Sequence, residues 1–182
     1  MPGDIVIGEK LAQHDLGIIT SEGFSKGSFQ NPVNGKQNPM FIPSDTALVA
    51  LAQKSASKMK LDRTGVYGKE WAPRVVSGVI VTGDVFIASQ DKVSFLLKEF
   101  NADIVEMEGA AVAQVCFQQK VPFVVLRSLS DDADQGAKHD EHLFYKTAAK
   151  NSATLTIALA RRLAEEHRSQ VLKKLKSSDN SP

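Results

Sequence analysis

Three short stretches of the chain carry side chains able to do chemistry, and each directly follows an apolar run. Thr82-Gly83-Asp84-Val85-Phe86-Ile87 closes one run, Glu106-Met107-Glu108-Gly109 follows Ile104 and Val105, and Arg127-Ser128-Leu129-Ser130-Asp131-Asp132 follows VPFVVL. The second stretch sets two carboxylates on either side of a thioether. One such glutamate can accept two hydrogen bonds from a vicinal diol such as ribose, with Met107 under the apolar face of the sugar. The plainer alternative is that Glu108 complements the positive end of a following helix. Asp131 has the same two readings: a cap beside Ser130, or a partly desolvated carboxyl with a raised pKa, able to lend a proton to a leaving group near neutral pH. Phe86 is either a core aromatic or a platform for a planar base. Each stretch alone reads as an ordinary turn or cap; three together, at one edge, are better evidence of a site.

Other chemical signatures are missing. No GxGxxG follows a strand, and the Gly35-Lys36 and Gly68-Lys69 pairs have neither the spacing nor the Ser/Thr of a phosphate-binding loop. His14, His139, His142 and His167 form no HExxH; His139 and His142, three apart, read as surface or capping residues rather than a metal clasp. Cys116 is the only cysteine, which excludes an internal disulfide framework and a multi-cysteine zinc site, and it reads as a small buried hydrophobe. No Gly-x-Ser-x-Gly elbow occurs.

These stretches need elements to hold them. Val6 and Ile7 open the chain on a short strand, and 17–43 reads as a long surface loop with at most short strands. Ser44 or Asp45 caps a helix with Leu48, Leu51, Ala52 and Met59 on one face. Arg74 to Thr82 (RVVSGVIVT) is β-branched and stopped by Gly83-Asp84, as expected of a strand buried on both faces. A helix over Asp91 to Phe100 leads to the strand Ile104-Val105, then to a helix from Glu108 to Gln119 with Cys116 on its inner side, then to a buried strand Val121 to Leu126. Leu143 to Leu163 is a long helix with Phe144, Ala148, Leu155, Leu159 and Leu163 on one stripe. Alternating strands and helices predict an α/β fold with a largely parallel sheet. In such sheets ligands sit beyond the carboxyl ends of the strands, where the three stretches lie.

Composition sets the outer bounds. With 182 residues, 42% hydrophobic and 24% charged, the chain reads as one globular domain, residues 1–164, followed by a polar tail, 165–182. Lys+Arg 22 against Asp+Glu 21 leaves a formal charge of +1, so nucleic acid and anionic membranes are not expected partners. No apolar run approaches the roughly 20 residues that span a bilayer, and the start lacks the pattern of a signal peptide. The expectation is a cytoplasmic protein.

Taken together, TGDVFI (Thr82 to Ile87), VEMEGAAVAQVC (Val105 to Cys116) and VPFVVLRSLSDDADQ (Val121 to Gln135) resemble the 5'-methylthioadenosine/S-adenosylhomocysteine nucleosidases of the purine nucleoside phosphorylase superfamily. The resemblance runs from GDIVI (Gly3 to Ile7) through His14-Asp15 to the last helix near Leu163. VEMEG followed by RSLSDDADQ is its most specific part. It implies a three-layer phosphorylase/hydrolase-like α/β fold, with a mixed, largely parallel central sheet flanked by helices. It also implies roles: Phe86 stacks on adenine and the backbone of Ile87 bonds its edge, while Met107 packs on the ribose and Glu108 holds its hydroxyls, beside Glu106. Asp131, oriented by Ser130, protonates N7, and Phe144 lines the pocket of the alkylthio group. The implied reaction is hydrolysis of an N-glycosidic bond through an oxocarbenium-like transition state, with no metal or organic cofactor, by a homodimer acting on a small nucleoside.

The family places strands before GDIVI, carrying a Gly-rich segment and a glutamate that activates water, whereas this sequence begins Met1-Pro2-Gly3. The expectation is therefore a nucleosidase-like chain with its N-terminal strands missing, whose turnover depends on them. Two other readings stand beside it: another nucleosidase or phosphorylase of the superfamily, and a nucleoside-binding protein that does no chemistry.

Overall fold

The computed structural model describes residues 1–66, 69–130 and 137–178, apart from the side chains of Val66, 137–144 and 171–178. In chain order its elements are β1 (Ile5–Gln13), β2 (Gly17–Thr20), β3 (Gly23–Lys26), β4 (Ile42–Pro43), α1 (Thr46–Ala56), β5 (Thr64–Val66), β6 (Lys69–Trp71), β7 (Val75–Thr82), α2 (Gln90–Phe100), β8 (Ile104–Glu106), α3 (Gly109–Gln119), β9 (Leu126–Ser128) and α4 (Ala137–Ser178).

The expected short opening strand is a nine-residue strand at the centre of the main sheet. Along one side β1 pairs in parallel with β7, from Ile5↔Val75 to Gln13↔Thr82, and β7 continues in parallel to β8. Along the other side β1 meets β9 and β4, both antiparallel. The sheet is mixed, and its longest ladder is parallel. Two-stranded hairpins, β2–β3 and β5–β6, lie outside it.

Side chains from both faces of this sheet explain the layers. Ile80 packs with Leu11, Ile104, Ala110 and Ala113 of α3, whereas its neighbours Val79 and Val81 pack with Leu96 and Phe100 of α2. That alternation is the two-residue period of a strand covered on both faces. In β1 the ladder is irregular between Gly8 and Lys10, which shifts the alternation by one residue; Val6 and Leu11 thus join the same cluster despite their odd spacing. Ile7 turns to Leu51 and Ala52 of α1 and Leu159 of α4. Burying each such Ile or Leu contributes about 1.5–3 kcal/mol.

The helices start where their side chains allow. Asp45 caps α1 by accepting the Leu48 amide at 2.9 Å, and Ser89 caps α2. Two expectations shift. Val121 to Val125 does not form a strand: Val125 O accepts from the Gly8 amide and Phe123 O from the Asp45 amide, Pro122 has no N–H to give, and regular pairing begins only at Leu126. The last helix extends beyond both expected ends, to Ala137 and Ser178, through the region expected to be a fraying tail. That stretch is rich in Arg, Lys, Glu, Leu and Gln, all good helix formers, and has no Gly or Pro before Pro182. Among the described residues no helix is long and apolar enough to cross a membrane.

Candidate active site

The ends of β7 and β8 and the start of α3 are tied by one buried carboxylate. Glu106, the last residue of β8, accepts the amides of Glu108 at 3.1 Å and of Gly109 at 2.8 and 2.9 Å, and also the Thr82 hydroxyl. The Thr82 oxygen in turn accepts the Ala110 amide at 2.8 Å. Helix amides left without intrahelical partners are thus met by a strand-end acid and a strand-end hydroxyl. It is Glu106, not Glu108, that complements the positive end of α3; the Glu108 side chain makes no capping bond.

Arg127 joins the two glutamates. Its Nε lies 3.2 Å from Glu106 Oε2 and its Nη2 lies 2.9 Å from Glu108 Oε2. Glu108 remains 65% exposed, so its carboxylate is aimed yet open to a ligand. Sequence reasoning named the stretch that contains Arg127 but gave that residue no role, and gave none to Thr82. The available signal was one cation among three acid-bearing stretches, which must pair somewhere. β9 runs antiparallel to β1, so its carboxyl end lies beside Ile5 rather than beside Gln13. The three strand ends therefore do not share one edge as a parallel sheet would have it, and the guanidinium nonetheless reaches both acids.

Around this network is a cleft of about 360 Å3. Phe86 and Ile87 line it from the loop after β7, Glu106, Met107 and Glu108 from the end of β8, and Arg127 to Ser130 from β9 onward. Val93, Leu96, Ile104 and Val105 add apolar wall. Phe86 and Met107 are each 40% exposed, so neither is a core residue. An aromatic face, a thioether and a positioned carboxylate suit a molecule with a flat apolar part and hydroxyls. Asp131 falls outside the described residues, as does the side chain of Phe144. Among the described residues no group of His, Cys, Asp and Glu is arranged to hold a metal ion.

The Phe86 loop is fastened at both ends. The Asp84 amide donates to Asp15 Oδ2 at 2.6 Å, and Gln13 Nε2 donates to Asp15 Oδ1 at 2.7 Å. Burial pushes the Asp15 carboxyl up, but these two bonds outweigh it and hold the group below the usual aspartate range. At the far end Ser89 caps α2. His14 beneath the loop is buried, its two ring nitrogens without hydrogen-bond partners among the described residues, and burial lowers its pKa.

Residues 1–164 match the family model of the phosphorylase superfamily. The chain is 39% identical over 162 residues to a 5'-methylthioadenosine/S-adenosylhomocysteine nucleosidase of Haemophilus influenzae (strain PittGG), an alignment that covers 88% of this chain and 62% of that protein. Among solved structures it is similar to the corresponding nucleosidase of Neisseria meningitidis in complex with methylthio-immucillin-A, with a TM-score of 0.70, 36% identity, and coverage of 88% and 62% of the two chains. The futalosine hydrolase of Helicobacter pylori strain 26695 is similar to the same degree in fold, with a TM-score of 0.70, 32% identity, and coverage of 88% and 61%. The chain thus spans a little over three fifths of the length of these relatives.

Proposed function

The chain belongs to the phosphorylase superfamily, and from that premise we propose that it serves adenine-releasing hydrolysis of 5'-methylthioadenosine and S-adenosylhomocysteine. The observation that carries the reading is that Phe86, Met107 and Glu108, from two strand ends, line one cleft together with Arg127 and Ser130. The named relatives, one of them bound to methylthio-immucillin-A, support it.

Adenine lies against Phe86, its edge bonded to the backbone of Ile87. The ribose rests on Met107, and its hydroxyls donate to Glu108, which Arg127 holds in place. Glu106 serves the sugar indirectly, by fixing Arg127 and the start of α3. Asp131, oriented by Ser130, gives its proton to N7, so that the C1'–N9 bond breaks with adenine leaving as a neutral base. The sugar carries the positive charge of an oxocarbenium-like transition state, which the Glu108 carboxylate stabilises. Water then adds at C1' and gives up a proton, a step assigned to none of these residues. Phe144 lines the place of the 5'-alkylthio group. Release of the thiosugar suits methionine salvage in the cytoplasm.

A homodimer belongs to the same proposal. The β2–β3 hairpin presents Ile18 and Ile19 at 68% and 85% exposure, and α3 presents Val112 and Val115 at 51% and 60%. Asn38 Nδ2 bonds Gln114 Oε1 at 2.7 Å, tying the loop that follows the hairpin to α3. Apolar groups this exposed favour a protein partner, here a second copy.

The test is adenine binding by calorimetry, together with adenine release from 5'-methylthioadenosine measured with and without phosphate. Binding is expected, with release that ignores phosphate once the family's glutamate-bearing upstream strands are supplied. A phosphate requirement would move the protein to the phosphorylases, and binding without release would make it a nucleoside-binding protein. The likeness to the futalosine hydrolase favours a second reading, a nucleosidase for a different nucleoside; futalosine tested as the competing substrate separates the two.

A further inference from the structure

We propose that Asp15 is the positioning residue for base recognition: from the end of β1 it fixes the loop that carries Phe86 and Ile87. This rests on the nucleoside reading of the cleft, and three observations carry it. The first is the bond from the Asp84 amide to Asp15 Oδ2 at 2.6 Å, two residues before Phe86. The second is that Asp15 is itself held, by Gln13 Nε2 at 2.7 Å on its other oxygen. A carboxylate fastened through one oxygen and accepting through the other has little rotational freedom to lose, so its hold on the amide is stiff. The third is the close approach at Gly83. A Cβ there would collide with the His14 imidazole and lie within 2.9 Å of Asp15 Oδ2, so the loop seats directly on the His14-Asp15 pair.

The rest of the loop needs this anchor. The Gly83 amide donates to Glu106 O at 3.1 Å, and regular structure resumes only after the Ser89 cap of α2. Between them Val85 is 62% and Phe86 40% exposed, so burial does little to hold them. The direction in which Phe86 faces the cleft is then set by the Asp84 amide, and through it by Asp15. A residue just past β1 that never touches the base thereby governs how well the base stacks.

The experiment compares the wild-type chain with Asp15→Ala, which removes the acceptor, and Asp15→Asn, which keeps one oxygen for the Asp84 amide. Amide hydrogen exchange is read along 83–87, and adenine affinity by calorimetry. In Asp15→Ala, exchange over 83–87 is expected to rise about tenfold or more and adenine affinity to fall about tenfold, the scale of a hydrogen bond to a charged group. Exchange at Ile80 and Val81 stays unchanged, which certifies that the sheet is folded. Asp15→Asn recovers most of both effects, which a general loss of stability would not do. Unchanged exchange over 83–87 would overturn the proposal, and so would faster exchange with unaltered adenine affinity. Should the wild-type chain fail to bind adenine, the nucleoside reading itself falls and base positioning with it, while exchange would still report the clamp on the loop.

Discussion

Arg127 and Glu106 form an ion pair of 3.2 Å in which the carboxylate is 4% exposed and the guanidinium 37%. The same Arg127 also holds the exposed Glu108. A buried acid that holds the fold and an open acid that lines the cleft thus share one cation.

Arg127→Met separates these two roles. Glu106 keeps the Thr82 hydroxyl and the amides of Glu108 and Gly109, so it is not orphaned. The expected loss of stability is about 1–2 kcal/mol, well below the about 3–5 kcal/mol of an abandoned buried charge, and a urea titration measures it. Arg127→Lys retains the charge but cannot bridge both acids through one planar fork. It should therefore restore stability better than it restores nucleoside affinity.

Phe86→Ala should weaken adenine binding about tenfold to a hundredfold, as base–aromatic stacking is worth about 1–3 kcal/mol. Its effect on the unfolding midpoint should be small, because the ring is already 40% exposed. Calorimetry and a urea titration on the same preparation give both quantities.

In a form supplied with the family's upstream strands, Asp131→Asn should lower the rate of adenine release by about 100-fold or more while leaving the affinity for 5'-methylthioadenosine near its original value, since a general acid acts in the transition state. Equal release by the variant would remove Asp131 from the role of proton donor.

Stability should fall in acid in two stages, and the signs follow from the pKa directions. His14 has a folded value below its ordinary value near 6.5. As pH drops through that ordinary value the unfolded chain gains a proton that the folded chain refuses, so stability declines from about pH 6.5 downward. Asp4 and Asp15 have folded values below the ordinary 3.8. Their contribution is present above about pH 3.8 and disappears as pH falls from there through their folded values. For Asp4, burial opposes the shift and the Arg74 amide and guanidinium outweigh it. Urea midpoints of the wild type and of His14→Gln should converge toward lower pH between about 7 and 5, since the glutamine takes up no proton.

Ile19→Asp should convert a homodimer to monomers by light scattering while leaving the urea midpoint of the monomer nearly unchanged. Ile19 is 85% exposed, so the substitution removes no core contact.

Much of the frame was legible in the residues. The period of Val75–Thr82, the Asp45 cap and the apolar stripe of the last helix locate β7, α1 and α4, because these signals are local and come from the chain's own geometry. The composition of the three acid-bearing stretches likewise placed Phe86, Met107 and Glu108 in one cleft. Pairing partners were not legible. β9 runs antiparallel to β1, and β1 reaches Gln13 rather than stopping after Ile7, because hydrogen bonds between distant strands depend on which edges meet in space. The division of labour between Glu106 and Glu108 was hidden for a related reason. Two glutamates two residues apart are chemically identical in sequence, and only the strand-to-helix turn decides which is buried against the α3 amides and which stays open. Arg127 and Asp15 follow the same rule, as each acts through a residue 19 or more positions away in the chain. The sequence by itself determined which groups this protein has for chemistry and the local elements that carry them. Tertiary structure alone decided which of those groups are spent on holding the site and which are left free to act, because charge pairing and burial are properties of the packed chain.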